Sequence, residues 1–121
     1  MPSSKIAVVN YVNNKYQVGP DYPWSQYPSY AALRHHGTDK WFALLMNIPR
    51  NKLGLEGTDS VDVVNVKCRP EIVGSLRLKH GYLPAYHMNK EHWLTVLLDN
   101  TVPEKEILEL IDDSYLLTKH D

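Results

Sequence analysis
Residues 82–98 constrain this chain more than any other stretch. Two extended runs, one ending near His87 and one starting near His92, flank the polar residues Asn89, Lys90 and Glu91. A short polar connection between two such runs predicts a β-hairpin. The chemistry gathers at its tip, where His87, Asn89, Lys90, His92 and Trp93 bring two imidazoles, an amide, an ammonium and an indole within a few residues. A plain turn needs none of these groups.

The remaining chain supplies what such a hairpin packs with. Ser3 or Ser4 is placed to cap a helix through about Tyr16, with Val8, Val12 and Tyr16 on one face, and Gly19-Pro20 stops it. Residues 19–30 hold Pro20, Pro23 and Pro28 among Tyr22, Trp24, Tyr27 and Tyr30, so they form neither regular helix nor central strand. Such rings can stack bases or grip a peptide, and they can equally pack against their own domain. Residues 30–35 and 40–48 read as strands around a turn at His36, Gly37, Thr38 and Asp39, which places His35 and His36 as a surface pair at the hairpin end.

A loop hinged on Gly54 and Gly57 leads to a third strand at 61–67. Pro70 and Glu71 open a helix with Ile72, Val73 and Leu76 on its buried side and Gly81 as its stop. After the hairpin, Thr101 and Glu104 have capping-box spacing, and Ile107, Leu108, Ile111 and Tyr115 form an apolar stripe to the C-terminus. The order α-β-β-β-α-β-β-α predicts an α+β, two-layer fold. It is an antiparallel five-stranded sheet with helices on one face, a single domain over residues 1–121.

Composition narrows the function classes. With 43% hydrophobic and 22% charged residues the chain is of globular type, and its apolar runs are too short to span a membrane. No leader pattern opens the sequence, so the cytoplasm is the expected compartment. Cys68 is the only cysteine, which excludes an internal disulfide framework and is expected to be a buried, inert thiol.

The net charge of −1 is unlike that of a generic nucleic-acid binder. Its distribution is uneven: Lys67, Arg69, Arg77 and Lys79 face only Glu71 in one segment, while residues 101–121 carry Glu104, Glu106, Glu109, Asp112, Asp113 and Asp121 against Lys105 and Lys119. That pattern fits a molecule with one basic and one acidic side, or an ordinary solvated surface.

The sequence resembles the MmcQ/YjbR family of small bacterial proteins. Lys40-Trp41-Phe42-Ala43, Lys67-Cys68 with Pro70-Glu71, His87-Met88-Asn89-Lys90 with His92-Trp93, Thr95-Val96, Val102-Pro103 and Ser114-Tyr115 carry the resemblance. It implies a CyaY-like or secretion-chaperone-like fold and DNA binding through a hairpin tip. The matching residues are His87, Asn89, Lys90, His92 and Trp93, with Lys90 on a phosphate, Asn89 on a base edge or phosphate, and Trp93 stacking or bracing the hairpin. Arg69 departs from the family, which commonly has a helix-capping Asp or Ser there; losing the cap costs on the order of 1 kcal/mol. Arg69 also joins Lys67, Arg77 and Lys79 in a basic segment that adds to the candidate surface.

Glu91 offsets Lys90, so affinity for DNA is expected to be weak unless the domain dimerises. The alternative is a protein- or peptide-binding module, using the sheet face or Tyr22, Trp24 and Tyr27. His87 and His92 alone make an incomplete metal site, and hydrogen bonds that fix the turn are the expected role of both rings. No phosphate loop, G-x-S-x-G elbow or H-E-x-x-H motif is present, so neither catalysis nor a cofactor is expected.

Overall fold
The computed structural model describes residues 4–119. Ser3, one of the two proposed caps, and Asp121 lie outside the described residues. Three helices, α1 (Ser4–Tyr16), α2 (Pro70–Leu76) and α3 (Glu104–Lys119), accompany five strands, β1 (Ala31–Arg34), β2 (Trp41–Pro49), β3 (Ser60–Lys67), β4 (Tyr82–Pro84) and β5 (Trp93–Leu97). The element order is the expected one, with a 3-10 turn, Arg50–Leu53, added after β2. The strands form one antiparallel sheet in the order β1-β2-β3-β5-β4.

Alternation along the strands sends side chains to two unlike faces. The inner face joins Leu33, Phe42, Leu45, Val64, Val66, Leu94 and Val96 to Val8 and Val12 of α1, Val73 of α2, and Ile107 and Ile111 of α3. All three helices therefore cover one face, as patterning predicts. The outer face carries a smaller buried patch that includes Leu44, Met46, Ile48, Val63 and Leu97, and irregular segments rather than helices lie over it.

Several local expectations change. Helix α1 ends because Gln17 takes a left-handed conformation (φ 55°) while its N–H reaches the Asn13 carbonyl at 2.9 Å, before Gly19-Pro20 is reached. His35 is buried rather than a surface residue: its Nε2 lies 2.7 Å from Thr118 Oγ1 and its ring packs between Phe42 and Tyr115. Ile72 of α2 is 43% exposed, and Val73 alone of that helix is fully buried. Gly81 sits in the turn just before β4 instead of stopping α2, which ends at Leu76, and it is glycine because a Cβ there would lie 2.5 Å from a Val102 methyl at φ 95°. The capping box does not form, since the Thr101 hydroxyl donates to Asp99 and α3 begins at Glu104 directly after Pro103.

Helix α3 does more than cover the sheet. The Ser114 hydroxyl donates to the Phe42 carbonyl at 2.6 Å and accepts from the Lys67 N–H at 2.9 Å, standing in for a ladder bond between β2 and β3. At the other edge, Asp21 bridges backbone-to-backbone with Ala32 and pairs its carboxylate with Arg34, which ties the aromatic 19–30 segment to β1.

Candidate functional site
The hairpin is shorter and its connection longer than the sequence suggests. Strands β4 and β5 pair only from Tyr82↔Val96 to Pro84↔Leu94, leaving residues 85–92 as an eight-residue loop. Two buried polar residues of the sheet hold the start of that loop. Asn65 Nδ2 donates to the Tyr86 carbonyl at 3.0 Å, and Thr95 Oγ1 accepts from the Tyr86 N–H at 2.9 Å while donating to Asn65 Oδ1. Every polar group of this set has a partner, so a buried amide and hydroxyl become a firm anchor for the loop.

Asn89 shapes the far end of the loop. Its Oδ1 accepts from the N–H groups of Glu91 (2.8 Å) and His92 (3.2 Å), and its carbonyl accepts from Trp93 N–H (2.9 Å). This is an Asx turn, so the Asn89 side chain, expected to contact a base edge or phosphate, has its oxygen committed to the fold. The turn is fixed by Asn89, Asn65 and Thr95 rather than by the two imidazoles. His87 is exposed, held at φ 59° with its ring 4.0 Å from that of Tyr86; His92 is exposed and offers its carbonyl to Cys68 N–H. Among the described residues, no three His, Cys, Asp or Glu side chains converge as metal ligands would.

The loop closes over the outer face and makes a cleft with the aromatic segment. Trp24 meets Trp41 edge-on at 5.2 Å and Tyr30 at 6.3 Å, while Tyr27 stacks on Tyr30 at 4.7 Å. These rings, with Leu44 and Met46 beneath and His87 and Met88 opposite, enclose about 240 Å³. Trp24 and Tyr30 do pack against the domain, whereas Tyr22 and Tyr27 stay 55% and 51% exposed.

Lysines line two recesses that adjoin this cleft. His87 also borders a recess with Lys90 and with Lys52 from the 3-10 turn, which an ion pair of Arg50 with Asp99 (3.4 Å) ties to the turn before α3. Trp41 also borders an open recess with Lys40, Lys67 and Trp93. Lys90 is therefore joined by a second ammonium group that sequence order had hidden.

The rest of the basic segment lies elsewhere. Lys79 pairs with Glu106 of α3 at 3.2 Å, and Arg69 sits with Asp113 beside Cys68 and Leu110. Burial pushes the Asp113 carboxyl above its usual range, Asp112 and Glu109 add to this, and Arg69 opposes them. The basic and acidic stretches thus face each other and partly neutralise, instead of forming opposite poles. Arg69 precedes α2 without a side-chain cap, as its identity predicts, and Arg77 follows the same helix. Cys68 is buried, as expected, and burial, helped by Asp113, pushes its thiol up to about 11, which disfavours the thiolate.

Of the nine candidates, His87, Lys90, Trp93 and Lys67 border the outer clefts, Asn89 builds the loop, and His92 is exposed upon it. Arg69, Arg77 and Lys79 belong to the helix side. The residues missed were Lys40, Lys52 and Trp41, which the fold brings to one surface with the aromatic segment already singled out. The neighbouring pair Lys40-Trp41 was the local signal for the lysine and indole, beside the aromatic run at 22–30.

The comparisons with known proteins agree with this architecture. A crystal structure of a Pseudomonas syringae protein superposes with a TM-score of 0.91 at 52% identity, covering 98% of this chain and 99% of that one. A Deinococcus radiodurans protein shares the fold at 25% identity and a TM-score of 0.72, over 94% of this chain and 78% of its own. YyaQ of Bacillus subtilis is 49% identical over 93% of this chain and 95% of that protein. No helix among the described residues is long and apolar enough to cross a membrane. Because the YjbR family model matches residues 13–117, nearly the whole described fold, this chain belongs to the YjbR family.

Proposed function
We propose that this protein is a nucleic-acid-binding protein, without a catalytic step, that contacts phosphates through the 85–92 loop. The observation that supports this is the recess where Lys90 and Lys52 flank His87 on the exposed side of the loop. Phosphate binding draws its free energy mainly from cations that release condensed counterions, and Lys52 restores the positive charge that Glu91 offsets. The loop that carries Lys90 is held by Asn65, Thr95 and Asn89, and the turn that carries Lys52 is tied by the Arg50–Asp99 pair, so each cation is presented on a fixed backbone. A surface with so few cations binds weakly, in the range of about 10⁻⁴ to 10⁻⁶ M at physiological salt. A cytoplasmic location goes with such a ligand.

A second reading, a peptide-binding module, has one observation in its favour: the apolar, aromatic character of the cleft next to the loop. Fluorescence anisotropy with a labelled DNA at two salt concentrations separates the two. Binding that weakens as salt rises and is lost in Lys90→Glu and Lys52→Glu supports nucleic acid. No binding even at low salt contradicts it and turns attention to the peptide.

A further inference from the structure
We infer that the ligand is single-stranded nucleic acid, with one unstacked base seated in the aromatic cleft and its neighbouring phosphates met by lysines at both ends. This rests on the nucleic-acid reading and narrows it. Trp24, Tyr27, Tyr30 and Trp41 line the cleft, and His87 and Met88 close it at about 240 Å³. Pockets that enclose a small molecule whole usually span about 300–1,000 Å³, so this one suits a flat fragment of a longer ligand.

The surroundings decide which ligand. His87 borders both the cleft and the Lys52–Lys90 recess, and Trp41 borders both the cleft and the Lys40 recess that Trp93 also lines. An aromatic centre is therefore continuous with cations on either side. A peptide backbone carries no charge at each residue, so two flanking ammonium groups favour it chiefly where acidic side chains happen to adjoin the aromatic one. A nucleotide chain carries a phosphate on each side of every base. Rings plus a cationic track are the general means of holding single strands, and they tolerate sequence because every base has a π-face. Bases in a duplex are stacked and paired, so reaching the cleft would require unstacking them first.

The test compares a labelled oligothymidylate of about twelve nucleotides with a blunt duplex of equal length, in anisotropy titrations at two salt concentrations. The single strand is expected to bind about tenfold tighter or better, with Trp24→Leu and Tyr27→Ala each weakening it by about tenfold to a hundredfold. Tyr27 is half-exposed, so its variant keeps the fold and the result readable where Trp24→Leu does not. Lys40→Glu and Lys90→Glu should each lower the salt slope by at least about 0.7, while Arg77→Glu, on the helix side, leaves affinity within about twofold.

Equal affinity for duplex and single strand, with Tyr27→Ala neutral, overturns the inference and leaves the nucleic-acid reading intact. Binding to neither nucleic acid overturns both. Capture of an uncharged aromatic peptide with no response to salt does the same, in favour of a peptide ligand.

Discussion
The two faces of one sheet differ in what finishes them. The inner face is closed by three helices whose apolar residues recur at helical spacing, and two of its buried polar residues serve the fold: Ser114 bridges β2 to β3, and Thr118 holds His35. The outer face is covered by irregular segments, 19–30, 50–55 and 85–92, and the first and last of these leave a cleft between them. Helices bury a face completely because their stripes match it, whereas loops cover only where particular hydrogen bonds pin them. On the inner face the residues serve stability, and on the outer face rings and lysines line clefts open to solvent.

The largest predicted effect lies on the inner face. Phe42→Ala, at a fully buried position in contact with Tyr16, His35 and Tyr115, should lower unfolding free energy by about 3–5 kcal/mol in denaturant titration. A loss below about 1 kcal/mol would mean that this core is looser than its packing implies.

Next comes Asp112, which joins α3 to α1. Burial pushes its carboxyl up, but hydrogen bonds from Tyr11 (2.6 Å), Tyr16 and Lys15 outweigh it and hold the group below the usual carboxylate range. Asp112→Ala should destabilise by about 1–3 kcal/mol, by stranding the two phenols. Because the folded-state pKa is depressed, this stabilisation is present above the ordinary carboxylate value near 3.8 and is lost as pH falls below it. His35 behaves alike at higher pH: burial first, then Lys119 and Lys40, keep its imidazole neutral. Stability should fall as pH drops below about 6.5, where the unfolded-state histidine takes up a proton, and His35→Phe should flatten that portion of the pH profile.

How far the sequence could reveal all this follows the same division. Periodicity exposed the inner face, because Val8 and Val12, Ile107 and Ile111, and the alternation of Leu94, Val96 and Leu98 are repeated signals of burial. Single residues acting through one bond carried no such repetition. Gln17 at positive φ, Gly81 against Val102, and Thr101 turned toward Asp99 each overrode a sequence rule through a single contact, local for Gln17 and Thr101 and tertiary for Gly81. The outer site was half legible. His87, Lys90 and Trp93 stood out in one segment, but Trp24, Lys40 and Lys52 come from three others, and only the fold brings them to the same surface.

Asn65 links the two halves of the comparison. Asn65→Leu removes the donor to the Tyr86 carbonyl and should cost about 1–3 kcal/mol. Amide hydrogen exchange should speed up in 85–92 more than in the inner strands, with weakened ligand binding. Uniform acceleration throughout the sheet would show that the loop has no separate anchor. The smallest effect on stability belongs to Tyr27→Ala, expected within about 0.5 kcal/mol because the ring is half-exposed.

Backbone amide and indole NMR shifts during titration with oligothymidylate test the division of the two faces most directly. Perturbations concentrated at Trp24, Tyr30, Trp41 and residues 86–90, with α2 and α3 unmoved, are the predicted result. Shifts centred on Arg69, Arg77 and Lys79, or none at saturating oligonucleotide, would contradict the outer face as the binding face.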